Sequence, residues 1–464
     1  MRRSLPLAFL LLLLLSAAAA SAQSLEPGPA SAPETSVLRQ AYWDSFFNAP
    51  RAAALAKKPF AVRTENGDFR FSSSREGSYF YLYLSAAASE AAKRSSAGQK
   101  RPAPATQQEA DAANYPPWTQ GSWIVKRSLA NGAFIQAKVF LRSDPGLFIR
   151  LYPDGDRSRM DVLVYGGVLN ERVAIPLPFE RLLRSSLADI VNWTKDAVDW
   201  SCFEPHPELS ALSSSLADRI RSGLPALRYA DDGGLDAQGR PVFIANLAPQ
   251  GTKPGLNCSG FAEWVADGIY HPLTGLWLDP AKLKERRMEL RRESFDETAE
   301  KKYDPYFGLD WTRNIAKALA DAGMPTRTHS YTESDMASPP FALYEPQNQG
   351  KTPSALPRYI SYPAYDSSSG YSIQGLKALL YIAAIREPGS FYFASLNKVD
   401  STKLRRHYHV AVLIPFFDAS GAFHAAVFES CRETDIDSFM KRDPLNFIHL
   451  EKVKVERDFE APVF

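Results

Sequence analysis

The stretch GLNCSGFAEWVADG, residues 255–268, decides how the second half of this 464-residue chain is interpreted. Pro254 and Gly255 end the segment before it, and the apolar residues that follow Cys258 share one face of a helix: Phe261, Trp264, Val265 and Ile269. The pattern therefore places Cys258 at or just before the first turn of a helix with a buried face. The free N–H groups and the positive dipole end at such a position stabilise a thiolate.

Two interpretations of Cys258 follow from this position. In the first, the thiolate attacks a carbonyl carbon, and backbone N–H groups of Cys258 and Ser259 hold the oxyanion that forms. Ser259 and Gly260 are small, which leaves room for a substrate beside the sulfur. In the second, Cys258 is a buried residue that only covers the helix start. A short motif alone does not decide between them.

A thiol nucleophile needs a base, and the segment RRHYHVAVLIPFFDASGAFHAAVFES, residues 405–430, supplies candidates. The pattern predicts a β-hairpin with a turn at residues 418–421. Its first strand has alternating apolar residues: Val410, Val412, Ile414 and Phe416. His409 opens this strand, where a side chain can face a cleft, and His407 is its competitor. Taken alone, either histidine is interpreted as an ordinary residue at a strand end.

Three pieces in this order resemble the NlpC-type family of bacterial papain-like cysteine peptidases and amidases. They are NCSGF (257–261), EPGSFYF (387–393) and HVAVLI (409–414). The resemblance covers roughly residues 240–440. It implies that Cys258 is the nucleophile and that His409, directly before the valine, is its base.

The family also has a third polar residue that orients the histidine, usually on the following strand. His424 matches the common histidine by residue type, and Glu429 matches members that use an acid. With a three-residue loop ending at Gly421, Glu429 lies across from Ala411 and diagonal to His409 on the same face. His424 then points to the other face, and a longer loop leaves it too far along the strand at ~3.3 Å per residue. The hairpin favours Glu429, with His424 as the alternative.

The sequence departs from the family pattern at three positions. Asn257 and Ser390 stand where the family usually has Asp, and Ala411 stands where Gly is common. Residues 271–385 also form a far longer stretch than a minimal member has between the nucleophile helix and the Pro-Gly turn. We expect this insert to build a lid or a cleft wall.

Three cysteines leave one over if the protein is exported. Either all three are buried apolar residues, or Cys202 and Cys431 form a disulfide and Cys258 is free. Near Cys202, His206 lies between acidic residues, but the spacing matches no zinc pattern and the neighbouring prolines prevent a helix from gathering them. We expect no metal and no organic cofactor.

The amino terminus predicts export. Residues 1–22 combine two arginines, an apolar run and the small-x-small sequence Ala20-Ser21-Ala22, which is the pattern of a cleaved signal peptide. No later segment is long and apolar enough to be a membrane span. Removal of residues 1–22 leaves 52 basic and 52 acidic side chains, so the charge gives no reason to expect nucleic acid as a partner. We expect a periplasmic or extracellular protein.

The organisation predicts an α+β protein. Residues 23–35 are rich in Pro, Ala and Ser and are predicted to be disordered. Residues 36–180 are predicted to form a small antiparallel β-rich domain with a flexible loop at 89–117. Residues 181–464 are predicted to form a papain-like domain with the insert 271–385.

The resemblance implies an exported thiol hydrolase that cleaves an amide bond in the peptide stem of peptidoglycan. Two alternatives stay open at this point. One is a related thiol hydrolase or acyltransferase that acts on lipid or small-molecule amides or esters. The other is a catalytically inactive member of the family that binds fragments of the cell envelope.

Overall fold

The computed structural model describes residues 25–88, 113–286, 304–323, 329, 334–336, 342–345, 358–361, 365–399, 405–454 and 459–464. Helices and two large antiparallel sheets make this an α+β protein, as predicted. The predicted signal peptide, and residues 89–112 of the predicted loop, lie outside the described residues. Of the helices in the described ranges, none has the length and apolar content to cross a membrane.

The first sheet has ten strands. In their order across the sheet they are β1 (Phe60–Thr64), β2 (Gly67–Glu76), β3 (Tyr79–Ala86), β4 (Trp123–Ser128), β5 (Phe134–Phe140), β6 (Leu147–Asp154), β7 (Arg157–Val164), β8 (Gly167–Ile175), β11 (Ala342–Glu345) and β12 (Arg358–Ser361). The Asn131-Gly132 pair joins β4 to β5 as the sequence predicts, and Gly132 has a φ of +73°, which glycine adopts at no steric cost. The β-rich region is therefore a meander of hairpins.

Alternate residues of these strands form the first core, which begins and ends beyond the predicted domain limits. Short helices cover it: α1 (Ser36–Ala41), α2 (Arg51–Ala56), α3 (Phe179–Leu182) and α4 (Leu187–Thr194). Buried residues as far as Cys202 and Phe203 belong to this core. The predicted boundary at residue 180 is therefore too early, because the apolar faces of α3 and α4 are buried against the sheet.

Residues 25–35 correct another expectation, since they pack on the fold and are not disordered there. Pro29–Ser31 form a turn of 3-10 helix with Pro29 buried. Gln120 Nε2 donates to the carbonyl of Pro27 at 2.7 Å, and Arg142 lies 3.5 Å from the carboxylate of Glu26. Their Pro and Ala content indicates little intrinsic structure, but these side-chain contacts with the loops before β4 and after β5 fix the segment.

The second sheet has six strands and positions the candidate site. In their order across the sheet they are β13 (Tyr371–Ser372), β18 (Phe447–Lys454), β14 (Ser390–Val399), β15 (Arg405–Phe417), β16 (Phe423–Glu429) and β17 (Arg432–Thr434). A two-stranded sheet of β9 (Gly233–Leu235) and β10 (Pro241–Phe243) lies apart from it. The remaining helices are α5 (Ala211–Gly223), α6 (Cys258–Thr274), α7 (Pro280–Leu283), α8 (Phe307–Gly323), α9 (Leu376–Arg386) and α10 (Ile436–Lys441).

Helices cover both faces of this six-stranded sheet. Val410 and Val412 of β15 face α5, α6 and α8, while Ala411 and Leu413 face α9 and α10. This alternation is the period-two pattern of a strand with both faces buried. The sequence-based hairpin is confirmed, since Phe417 pairs with Phe423 and the Asp418 N–H donates to the Ala422 carbonyl.

The described part of the insert 271–385 is not a lid. Helix α8 packs against α6 and against strands β14, β15 and β18, and its Trp311 and Ile315 are fully buried. Strand β11 pairs with β8 and so extends the first sheet. The expectation of a lid or cleft wall is wrong for α8, because its apolar face completes the core beneath the sheet.

The first turn of α6 approaches β9 closely. A methyl group on Gly260 would lie 2.1 Å from the carbonyl oxygen of Gly233 and 2.7 Å from Cα of Gly234. Only glycine fits at that distance, which explains the small residue after Cys258 and Ser259. The start of the helix is thereby fixed against the strand beside it.

Helix α6 also carries two buried carboxyl groups, Glu263 and Asp267. Glu263 accepts a hydrogen bond from the Leu235 N–H, and Asp267 accepts one from the Leu278 N–H. Glu263 Oε1 and Asp267 Oδ2 have no hydrogen-bond partner among the described residues. Burial raises the pKa of Asp267 to about 7, and burial together with the Asp267 charge raises the pKa of Glu263 well above its ordinary value.

We expect the ionisation of Asp267 to lower the free energy of unfolding as the pH rises. The folded state holds the Asp267 proton more tightly than the unfolded chain, so the associated stability is present at low pH and is lost as the pH rises from the unfolded pKa through about 7. Asp267→Asn should therefore gain roughly 1 to 3 kcal/mol over the wild type between pH 5 and pH 8. Urea unfolding at both pH values measures the difference. Asp156→Asn, at an exposed turn, is the matched control, and equal pH dependence of the two variants would contradict the expectation.

Candidate active site

Helix α6 begins at Cys258, as the sequence predicts. Asn257 is its N-cap, and Asn257 Oδ1 accepts a hydrogen bond from the Gly260 N–H at 2.8 Å. Asparagine caps a helix as well as aspartate does, so the departure from the family pattern leaves the helix start intact. The backbone N–H groups of Cys258 and Ser259 have no hydrogen-bond partner among the described residues. Two donors at the helix start are therefore available for an oxyanion.

A second contact fixes this turn from the other helix. Trp311 of α8 is buried, and its indole Nε1 donates to the carbonyl oxygen of Ser259 at 2.9 Å. The insert thus supports the nucleophile helix directly. Neither the composition of the insert nor the Cys-Ser-Gly motif indicates this contact.

The Cys258 thiol faces His409. Burial alone would raise the pKa of Cys258, but hydrogen bonding to the His409 side chain and to the Val410 N–H lowers it below the ordinary value. Burial would likewise lower the pKa of His409, but its interactions with Cys258 and Glu429 raise that pKa to about 9. Opposite charge on the partner favours the ionised form of each group, which is the behaviour of a thiolate–imidazolium pair.

Glu429 lies beside His409. His409 Nε2 lies 2.6 Å from Glu429 Oε2, and the Glu429 side chain is fully buried. The three-residue loop places Gly421 at a φ of +77°, and the register of the hairpin brings Glu429 beside His409 as the sequence analysis expects. Since Nε2 is engaged by Glu429, Nδ1 is the ring nitrogen left to serve Cys258.

Further donors surround the Glu429 carboxylate, and sequence reasoning missed them. Arg442, directly after α10, donates Nη1 to Oε2 at 2.9 Å and Nη2 to Oε1. Thr434 Oγ1 donates to Oε1 at 2.8 Å. Burial alone would raise the pKa of Glu429, but the hydrogen bonds from His409, Arg442 and Thr434 bring it well below its ordinary range. Only the fold, which returns the chain through β17 and α10, brings these residues to Glu429.

The competing histidines lie elsewhere. His424 is opposite Phe416, half-exposed, and its Nε2 lies 2.8 Å from Asp418 Oδ2. His407 is buried and its ring packs beside His449, because a register shift in β15 separates it from the face of His409. The structure therefore brings Cys258, His409 and Glu429 together and leaves His424 and His407 outside the group.

Two tyrosines that the sequence analysis did not select lie next to the group. The Tyr408 ring is close to that of His409, with 6.4 Å between centroids, and its hydroxyl accepts from Asn446 Nδ2. The register shift turns Tyr408 toward solvent. Tyr229 is exposed and close enough to Cys258 for the thiolate charge to contribute to its raised pKa, after a hydrogen bond to Asp231. Both rings are therefore close to the group of Cys258, His409 and Glu429.

The predicted Cys202–Cys431 disulfide does not form. All three cysteines are free, and the two groups lie in different cores. Cys202 is buried beneath the first sheet, whereas Cys431 lies at the turn between β16 and β17 with its thiol 3.4 Å from the Arg228 carbonyl. The odd cysteine count alone cannot show which thiols are close in space.

Among the described residues, no three side chains of His, Cys, Asp or Glu are gathered so that they could hold a metal ion. His206 is exposed and its Nδ1 lies 3.1 Å from Glu208 Oε1. The arrangement of Cys258, His409 and Glu429 instead offers an ionised nucleophile, a proton carrier and an orienting carboxylate.

Comparison with known proteins relates only the first part of the chain to a family. A family model described as a domain of unknown function, DUF8515, matches residues 29–202, which include most residues of the first core. Searches of curated proteins and of solved structures gave no match. The family model ends before Cys258, so the candidate active site rests on its own geometry.

Replacing Glu429 should change how His409 binds its proton. Glu429→Gln keeps the shape of the side chain but removes the charge that stabilises the imidazolium, so the pKa of His409 should fall from about 9 by about 1 to 2 units. An NMR titration of the histidine ring protons, with His409 assigned from a His409→Gln spectrum, measures the shift.

Asp418→Asn is the matched control for this experiment. It removes the carboxylate that partners His424 on the same hairpin and should leave the His409 titration unchanged. An unchanged His409 titration in Glu429→Gln would contradict the pairing of His409 with Glu429.

Proposed function

We propose that this protein is a thiol hydrolase that cleaves an amide bond through Cys258, His409 and Glu429. The observation that carries the proposal is that Cys258, at the start of α6, interacts with His409, which lowers the pKa of the thiol and raises that of the imidazole, while Glu429 Oε2 lies 2.6 Å from His409 Nε2. The order of the three residues along the chain matches the NlpC-type resemblance. We propose a papain-like arrangement for the residues around them, with α6 packed on the six-stranded sheet.

The proposed reaction begins with the thiolate already formed. Cys258 Sγ attacks the amide carbonyl carbon, a C–S bond forms, and the carbonyl electron pair moves to the oxygen. The N–H groups of Cys258 and Ser259 hold that oxyanion. As the C–N bond breaks, His409 gives its proton to the leaving amine.

Water then completes the cycle. His409, now neutral, removes a proton from the water molecule that attacks the thioester carbon. The carboxylic acid leaves and the Cys258 thiolate is restored with His409 protonated. Glu429 holds the imidazole in one orientation and stabilises its positive charge throughout both steps.

The substrate class follows from the resemblance and from the amino-terminal pattern. Export to the periplasm or cell exterior would bring the enzyme to peptidoglycan, and we propose the peptide stem as its substrate. The alternative of an inactive binding protein would fit a Cys258 held in a disulfide or far from His409. Cys258 is a free thiol whose pKa depends on His409, which supports the proposal of an active site. No observation on the described residues favours a lipid amide or ester.

Alkylation should identify Cys258 as the reactive thiol. Iodoacetamide at pH 6 should label Cys258 far faster than Cys202 and Cys431, because burial raises the pKa of each of these two thiols to about 11. His409→Ala should slow labelling of Cys258 at least about tenfold, since the imidazolium no longer stabilises the thiolate. Mass spectrometry of the digested protein locates the label.

The two other cysteines serve as internal controls, and His424→Ala is the matched histidine variant. Equal, slow labelling of all three thiols at pH 6 would contradict the proposal. A positive result justifies a screen of stem peptides against simple esters and lipid amides, with Cys258→Ser as the inactive control.

A further inference from the structure

Arg442 and His409 share one oxygen of Glu429. Arg442 Nη1 and His409 Nε2 lie 2.9 Å and 2.6 Å from Glu429 Oε2. The second Arg442 nitrogen, Nη2, donates to the other oxygen, Oε1, so the guanidinium binds the carboxylate with two parallel hydrogen bonds. An imidazolium and a guanidinium are thus less than about 6 Å apart and compete for a single negative charge.

The other donors to Glu429 do not place a cation on Oε2 beside His409. Thr434 is neutral and bonds only Oε1. Arg432 is 3.5 Å from Oε1, and its side chain is 65% exposed against 44% for Arg442, so solvent screens its charge more. Arg442 is therefore the one cation among the described contacts of Glu429 that both fixes the carboxylate plane and bonds the oxygen facing His409.

A general acid that holds its proton too tightly is a poor donor. A buried carboxylate with only His409 as counter-charge would bind the imidazolium strongly and would hold the proton there when the leaving amine needs it. A second cation on the same oxygen weakens that hold.

We propose that Arg442 acts on the active site through Glu429, where its charge on the shared oxygen moderates the hold of the carboxylate on the His409 imidazolium. This inference rests on the proposed function of Cys258 and His409 and concerns how that site is regulated. Arg442 acts through Glu429 and touches no reacting atom.

The test is the titration of His409 in the folded protein, followed by NMR. Arg442→Gln should raise the pH at which His409 loses its proton by about one unit, because a nearby positive charge is removed. Arg442→Lys keeps the charge without the two parallel hydrogen bonds, and His409 should lose its proton at nearly the wild-type pH. Arg432→Gln, the matched control, should shift the titration by less than about 0.2 unit. Thermal unfolding checks that each variant is folded.

The direction of the shift decides the outcome. If the role of Arg442 is only structural, its loss lets Glu429 turn away from His409. The pH at which His409 loses its proton then falls or does not change, which overturns the inference. Repeating the series in Cys258→Ala removes the thiolate and tests Arg442 against Glu429 and His409 alone. No shift beside a reactive Cys258 overturns the role of Arg442 and leaves the proposed function standing. An inert Cys258 overturns the proposed function whatever Arg442 does.

Discussion

The packing of helix α6 against β9 and the six-stranded sheet is the constraint on which the candidate site depends. Gly260 allows the helix start to approach Gly233, Asn257 caps the first turn, and Trp311 holds the Ser259 carbonyl. These contacts determine where the Cys258 sulfur lies relative to β15. Strand β15 then needs only one side chain, His409, four residues after its start at Arg405, to place an imidazole beside this sulfur. The candidate site therefore depends on how a helix end meets this strand.

Much of this arrangement could be predicted from the sequence, because it depends on local patterns. The offsets after Cys258 predict α6, and the alternation around Val410 predicts β15. Loop length in the hairpin selects Glu429 over His424, since a change of one residue would reverse the faces. The α+β class and the Asn131-Gly132 hairpin follow from equally local signals.

The remainder depends on contacts between residues far apart in sequence. Arg442 and Thr434 reach Glu429 because the chain turns back through β17 and α10, and no periodicity encodes that return. The disulfide was expected from a cysteine count, but the count contains no distances. The first domain extends to Phe203 because α3 and α4 each bury an apolar face on the sheet, whereas composition alone placed the boundary where strands give way to helices.

Helix α9 contributes to both the first core and the core of the second sheet. Its apolar residues face two cores: Tyr381 and Ile382 face the first core, and Leu379 and Leu380 face the core of the second sheet. Tyr381 also donates its hydroxyl hydrogen to the Cys202 carbonyl at 2.8 Å. The residues that match the family model, 29–202, are therefore fewer than those that build the first core, to which α9 also contributes. Expressed by themselves, residues 29–202 would expose to solvent the apolar surface that α9 covers in the whole chain.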